Sequence, residues 1–289
     1  MISIRVWPIL SGGIVHALSD RTRIARGFHR HAGEYDRHAS VQKRVVAHLV
    51  QMVDSHLVGY PGRILDIGCG TGALLAALHK RHTEAQLCGI DLAFNMSRHA
   101  SELLGGDVMI VNGDAGQLPF GAGVFDLVVS ASTFQWVQDL KACFDECRRV
   151  LRPGGLLCAA FFGGKTLQEL QESYREALTW RIGGSAPCED RLHRFRTVDE
   201  VRKVLEGIGF DQVVIAADTE MEYHADVPDL LRSIKGVGAS TSVRNVTGSG
   251  LGSRGILTEM AKIYRTRFQD NGVIPATYEV IYVVATVGG

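Results

Sequence analysis

Apolar and polar positions follow two periods along this chain. Val45, Val46, Leu49, Val50 and Val53 recur at helical spacing, and residues 21–58 are predicted helical. Pro61-Gly62 breaks that pattern. From there, short apolar runs alternate regularly with amphipathic stretches. Strands are predicted over 63–67, 86–91, 108–112, 124–131 and 156–162. The helices between them are placed at 73–82, 95–104 and 139–151, and Arg152-Pro153-Gly154-Gly155 forms a turn before the fifth strand. Strands alternating with helices imply a parallel sheet covered on both faces. Right-handed crossovers then bring the strand C-termini, and any ligand, to one edge.

After residue 163 the order changes. Helices are predicted at 166–179, 197–207, 227–237 and 254–269, with strands at 212–223 and 278–287 finishing the sheet. The segments 166–196 and 227–269 read as helical insertions above the ligand edge, and 236–255 is rich in Gly and Ser. The expected organisation is an extension (1–20), a helical lid (21–58), a ligand-binding core (59–165), and a remainder (166–289) that completes the sheet and caps the site.

Composition narrows the function classes. Hydrophobic residues make up 46% of the 289 positions, enough for a sizeable core. The formal net charge is +0, so no global basic field points to nucleic acid. No apolar run is long enough for a membrane span, and residues 1–20 lack the sustained apolar centre of a signal peptide. The six cysteines read as reduced thiols in a cytoplasmic protein. Cys143 and Cys147 share a helix face, and His29, His31 and His38 share a short segment. Neither set has a metal-site pattern, and no metal is expected.

Chemistry concentrates at three strand ends. The first reads Asp66-Ile-Gly68-Cys69-Gly70-Thr71-Gly72. Its G-x-G-x-G spacing differs from the dinucleotide fingerprint G-x-G-x-x-G. An acid two residues before the first glycine would repel a pyrophosphate and attract a ligand carrying an ammonium and a sulfonium. Asp91 ends the next strand, where a carboxylate can accept two hydrogen bonds from a ribose diol. Asn112-Gly113-Asp114-Ala115 ends the third. Asp114 can accept from an adenine amino group, with the Ala115 N–H facing a ring nitrogen. A turn explains one such acid, but not three at successive strand ends.

These motifs, with Phe125-Asp126-Leu127-Val128-Val129 and the 152–155 turn, resemble the class I methyltransferases over roughly residues 40–163. The resemblance implies a Rossmann-like α/β fold with a seven-stranded, mostly parallel sheet and S-adenosyl-L-methionine as cofactor. The implied cofactor residues are Asp66, Gly68, Cys69, Gly70, Gly72, Asp91, Leu92, Met96, Asp114, Ala115, Ser130 and Phe134. A narrower resemblance rests on FHRHAGEYDRHA (28–39), SASTFQWVQDL (130–140), FFGGKTLQEL (161–170) and LLRSIKGVGAS (230–240). It is to the malonyl-acyl-carrier-protein O-methyltransferases of biotin synthesis, the BioC family.

That family implies methylation of the free carboxylate of a malonyl thioester. Such a carboxylate is ionised near neutrality, with a reference pKa of about 4, so no general base is required. Tyr35 is expected to close over the site as a positioning group, Gln135 to bond the carboxylate, and Trp136 to wall the pocket. Arg196 and Lys235 are candidate clamps on the acyl group. An acidic carrier protein, or coenzyme A in its place, is the expected partner of a monomeric enzyme. Arg175, Arg181, Arg191, Arg194, Arg196, Arg202 and Lys203 supply basic charge, interleaved with acids. Two alternatives stay open. One is another small carboxylic acid or a quinone ring as acceptor. The other is a cofactor-binding assembly factor or protein hydroxylase, since the chain also resembles a mitochondrial complex I assembly factor.

Overall fold

The computed structural model describes residues 22, 24–30, 33, 35–182, 193–239 and 251–289. The expected extension 1–20, His31, Arg191 and the middle of each insertion lie outside them. Helical segments α1 (24–30), α2 (Tyr35–His38) and α3 (Ser40–His56) precede β1 (Arg63–Ile67). Then come α4 (Ala73–His79), β2 (Gln86–Asp91), α5 (Phe94–Leu104), β3 (Met109–Asn112), β4 (Phe125–Ala131), α6 (Leu140–Val150) and β5 (Leu151–Phe162). The chain continues through α7 (Gln168–Ile182), α8 (Val198–Glu206), β6 (Gln212–His224), α9 (Val227–Gly236), α10 (Leu251–Phe268) and β7 (Ile274–Thr286).

The seven strands form one sheet in the order β3-β2-β1-β4-β5-β7-β6. Pairings from β3 to β5 are parallel, and β7 runs antiparallel to both neighbours. β1 and β4 are buried almost throughout, as strands covered on both faces must be. The order reverses between β1 and β4, and their C-terminal ends open a crevice there.

Three expectations change. The helix expected over 21–58 is not continuous: residue 33 lies in a turn and Ala39 is non-helical. Nor is its longest part a lid. α3 buries Val41, Val45, Leu49, Val50 and Val53 in the same core cluster as Ile64, Leu127 and Tyr282. Only residues up to His38 remain to cover the site. The 152–155 turn lies inside β5 as a register shift, with Leu151 paired to Phe125 and Leu156 to Leu127, and with Gly154 at φ 73°.

The insertions are not wholly above the ligand edge. α7 and α10 bury Leu170, Tyr174, Met260 and Tyr264 with Tyr278 and Val280 of β7 in that core. What reaches the ligand edge is the end of the first insertion, around 193–196, and the C-terminal end of α9. α8 starts at a complete capping box: Thr197 Oγ1 accepts from the Glu200 N–H, and the Glu200 carboxylate accepts from the Thr197 N–H. This cap fixes where 193–196 leaves the helix.

Candidate active site

The crevice at the switch point holds a cleft, where ligands of open α/β sheets bind. The glycine turn after β1 forms its floor. Gly68 and Cys69 donate their N–H groups to the Ile90 carbonyl at 2.7 and 3.1 Å. Gly70 donates to Asp91 Oδ2 at 3.0 Å, and Ala93 to Asp91 Oδ1 at 2.7 Å. Asp91 therefore ties the turn after β1 to the turn after β2 while facing the cleft. Burial pushes its carboxyl up to about 6, against the lowering effect of those two N–H donors. Asp114 also lines the cleft and accepts from the Gly116 N–H at 2.8 Å.

Around these acids the lining is largely apolar, including Ile90, Leu92, Ala93, Met96, Ala115 and Val137. Among the described residues, Asp91, Asp114 and Asp139 line this cleft, and no Lys or Arg does. Such a lining favours a cation and disfavours a pyrophosphate. Asp66 lies just behind, 1% exposed, with neither carboxylate oxygen hydrogen-bonded. Burial, and then the nearby charge of Asp91, hold its carboxyl well above the usual range.

A second, smaller cavity adjoins the first. Its lining includes His38, Gln42, Gln135, Glu222, Ser233 and Tyr278. Phe28, Tyr35, Ser132 and Trp136 line both cavities and so mark the boundary. Phe28 meets Trp136 edge-on at 5.7 Å and Tyr35 at 6.4 Å. Burial first, then the charges of Asp36 and Asp91, raise the Tyr35 phenol far above its ordinary value. A tyrosine so placed keeps its proton and can donate a hydrogen bond.

Several expected site residues sit elsewhere. Ser130 is fully buried and donates to the Ile67 carbonyl at 2.8 Å, pinning β4 to β1. Phe134 packs in the core, edge-on to Phe144 at 5.3 Å and Phe161 at 5.9 Å. The Cys69 side chain joins the core beneath the glycine turn. Gly72, at φ 92°, starts α4 and lets Ala100 of α5 approach closely. Gln135 does line the second cavity, but its amide donates to the Ser132 carbonyl at 2.7 Å and accepts from the Phe162 N–H at 3.4 Å, so it also braces its own loop. Arg196 lines neither cavity and donates to the Gln138 carbonyl at 2.6 Å. Lys235 is exposed on α9 and lines neither.

Sequence reasoning missed His193. Its Nε2–H donates to the Gln135 carbonyl at 2.9 Å, and its ring lies 4.8 Å from that of Trp136. Burial, followed by the charge of Arg196, outweighs that hydrogen bond and lowers its pKa. His193 and Arg196 thus strap the segment before α8 across residues 135–138. No spacing signal marks this pair, because the contact joins distant parts of the chain. Among the described residues no cluster of His, Cys, Asp and Glu could hold a metal ion, and no helix is long and apolar enough to cross a membrane.

Fold and site together define a Rossmann-like, class I methyltransferase, and residues 65–159 match the family model described as a methyltransferase domain. A malonyl-acyl-carrier-protein O-methyltransferase of Geobacter sulfurreducens is 45% identical over 265 residues, covering 91% of this chain and 97% of that protein. One from a Methylovorus species is 33% identical, over 92% and 88% of the two chains. The chain belongs to the malonyl-acyl-carrier-protein O-methyltransferase family. A solved phosphoethanolamine N-methyltransferase 2 of Haemonchus contortus, in complex with S-adenosyl-L-methionine, shares the fold. Its TM-score is 0.56 at 20% identity, covering 96% of this chain and 61% of that one.

Proposed function

We propose that this chain transfers a methyl group from S-adenosyl-L-methionine to the free carboxylate of a malonyl thioester borne by an acyl carrier protein. The product is the methyl ester, on the route to biotin. The observation that carries the reading is the pair of adjoining cavities, one lined by Asp91, Asp114 and Asp139, meeting at Phe28, Tyr35, Ser132 and Trp136.

The residues present fit the cofactor. Gly70, at φ 54°, has nothing within 4 Å of where a side chain would begin and leaves the floor open to a ligand. The Asp91 carboxylate has lone pairs left for a ribose diol, and Asp114 and Ala115 line the same cleft, where they would read an adenine edge. Bound there, the cofactor supplies an electrophilic methyl on a sulfonium.

The protein's own contribution is placement and exclusion of water. Holding two reactants in a reactive geometry is worth roughly 7–11 kcal/mol of barrier. Phe28, Tyr35 and Trp136 wall the boundary with aromatic surface, which keeps the carboxylate poorly hydrated and nucleophilic. No residue need remove a proton, and the raised Tyr35 phenol is unsuited to doing so. The reading includes a monomeric, cytoplasmic enzyme whose acidic partner meets basic side chains on α7, on α8 and just before α8. Among the last, Arg194 is internally paired with Glu200.

The test is incubation with S-adenosyl-L-methionine and malonyl-carrier protein, malonyl-coenzyme A or free malonate, with the products read by mass. Methyl ester on the malonyl thioesters supports the reading. Cofactor binding with no ester on any of them would oppose it.

A further inference from the structure

We propose that the Ser132 hydroxyl binds the reacting carboxylate of the acceptor, an assignment that rests on the methyl-transfer reading above. Ser132 follows β4 with φ 56°, a left-handed backbone that serine seldom adopts. Two hydrogen bonds hold it there: its N–H donates to the Ala160 carbonyl at 2.7 Å, and its carbonyl accepts from Gln135 Nε2 at 2.7 Å. The next residue, Thr133, fills the space where a side chain on Gly68 would stand, so this turn and the glycine turn are locked together. The hydroxyl is buried and has no hydrogen-bond partner among the described residues.

A strained backbone and an unsatisfied buried hydroxyl each destabilise a fold, and both occur here on one residue at the boundary of the two cavities. A ligand oxygen at that boundary would complete the hydroxyl. The boundary is also where the acceptor must meet the cofactor's methyl group.

The chemistry of the second cavity orients the acceptor. At its other side Glu222 accepts from the Ser40 hydroxyl and offers an anion lone pairs and no proton. Ser132 offers a proton. The reacting carboxylate therefore takes the Ser132 side, and the neutral thioester arm runs toward Glu222. A hydroxyl suits this task better than a cation. It fixes one carboxylate oxygen without stabilising the ground-state charge so strongly that the other oxygen loses reactivity. Ser132 keeps its proton throughout.

The left-handed backbone permits a clean test. Ser132→Gly removes the hydroxyl and suits the positive φ; Ser132→Ala removes it and keeps the strain. Both variants should raise KM for malonyl-carrier protein about tenfold, the usual worth of one hydrogen bond to a charged group. Calorimetric affinity for S-adenosylhomocysteine should stay unchanged, and the Gly variant should melt no lower than the native chain. A Gly variant with native KM would overturn the assignment and leave the methyl-transfer reading standing. A native chain that esterifies no malonyl thioester would overturn both.

Discussion

Asp91 is the residue on which the proposed cofactor recognition turns. Its carboxylate spans the Gly70 and Ala93 N–H groups and faces the cleft, so Asp91→Ala should weaken S-adenosylmethionine binding about tenfold or more by calorimetry. A group raised to about 6 also gives binding a pH dependence. The diol needs the ionised form, so affinity should fall as pH drops through about 6, and Asp91→Asn should abolish that slope. In the free protein the same shift works the other way. Stability from the retained proton is full below the unfolded carboxyl's range and is lost as pH rises through about 6. Tyr35→Phe should lower turnover modestly without creating a new pH dependence between pH 6 and 8; a large loss rescued at high pH would mark Tyr35 as a base. Asp91 and Asp114 were legible in the sequence because a strand end followed by a turn fixes where an acid points. The sequence pointed to Trp136 but could not distinguish Ser130 and Phe134 from Ser132. That distinction depends on the left-handed backbone at 132, which breaks the strand's alternation of faces.

At the scale of elements, the glycine turn after β1 and the turn after β4 interlock. Gly68→Ala would drive a Cβ to 2.1 Å from Thr133 Oγ1 at a φ of 71°. It should cost at least about 1–3 kcal/mol in chemical denaturation, with cofactor affinity falling as well. The segment before α8 is tied to residues 135–138 by His193 and Arg196, and on the proposed reading those side chains would position the loop that carries Trp136. Arg196→Met should raise KM for the malonyl substrate with cofactor affinity intact. Lys235→Met should leave both at native values, because Lys235 is exposed away from the cavities. Steady-state kinetics on the two variants separate these outcomes. Element order and type were readable from periodicity alone. Hidden from it was that α3 belongs to the core, since an amphipathic helix looks the same whether it covers a ligand or a sheet.

Among the described residues of the whole molecule, no separate lid domain stands apart from the sheet. α3, α7, α9 and α10 share a hydrophobic core with the sheet, so the walls of the second cavity are anchored in the same packing that holds the cofactor cleft. One feature of the sheet bears on how the chain is made. β7 lies between β5 and β6 and pairs with both. On a ribosome, β6 emerges before the strand it pairs with exists, and the edge of β5 waits for β7. That is a delay on the order of ten seconds at ordinary translation rates. Throughout it, the apolar strand Leu156–Phe162 presents unpaired backbone, a template for the wrong partner. Stalled nascent chains ending before residue 274 should therefore be cut readily by protease and recruit chaperones, and release of the remaining residues should end both.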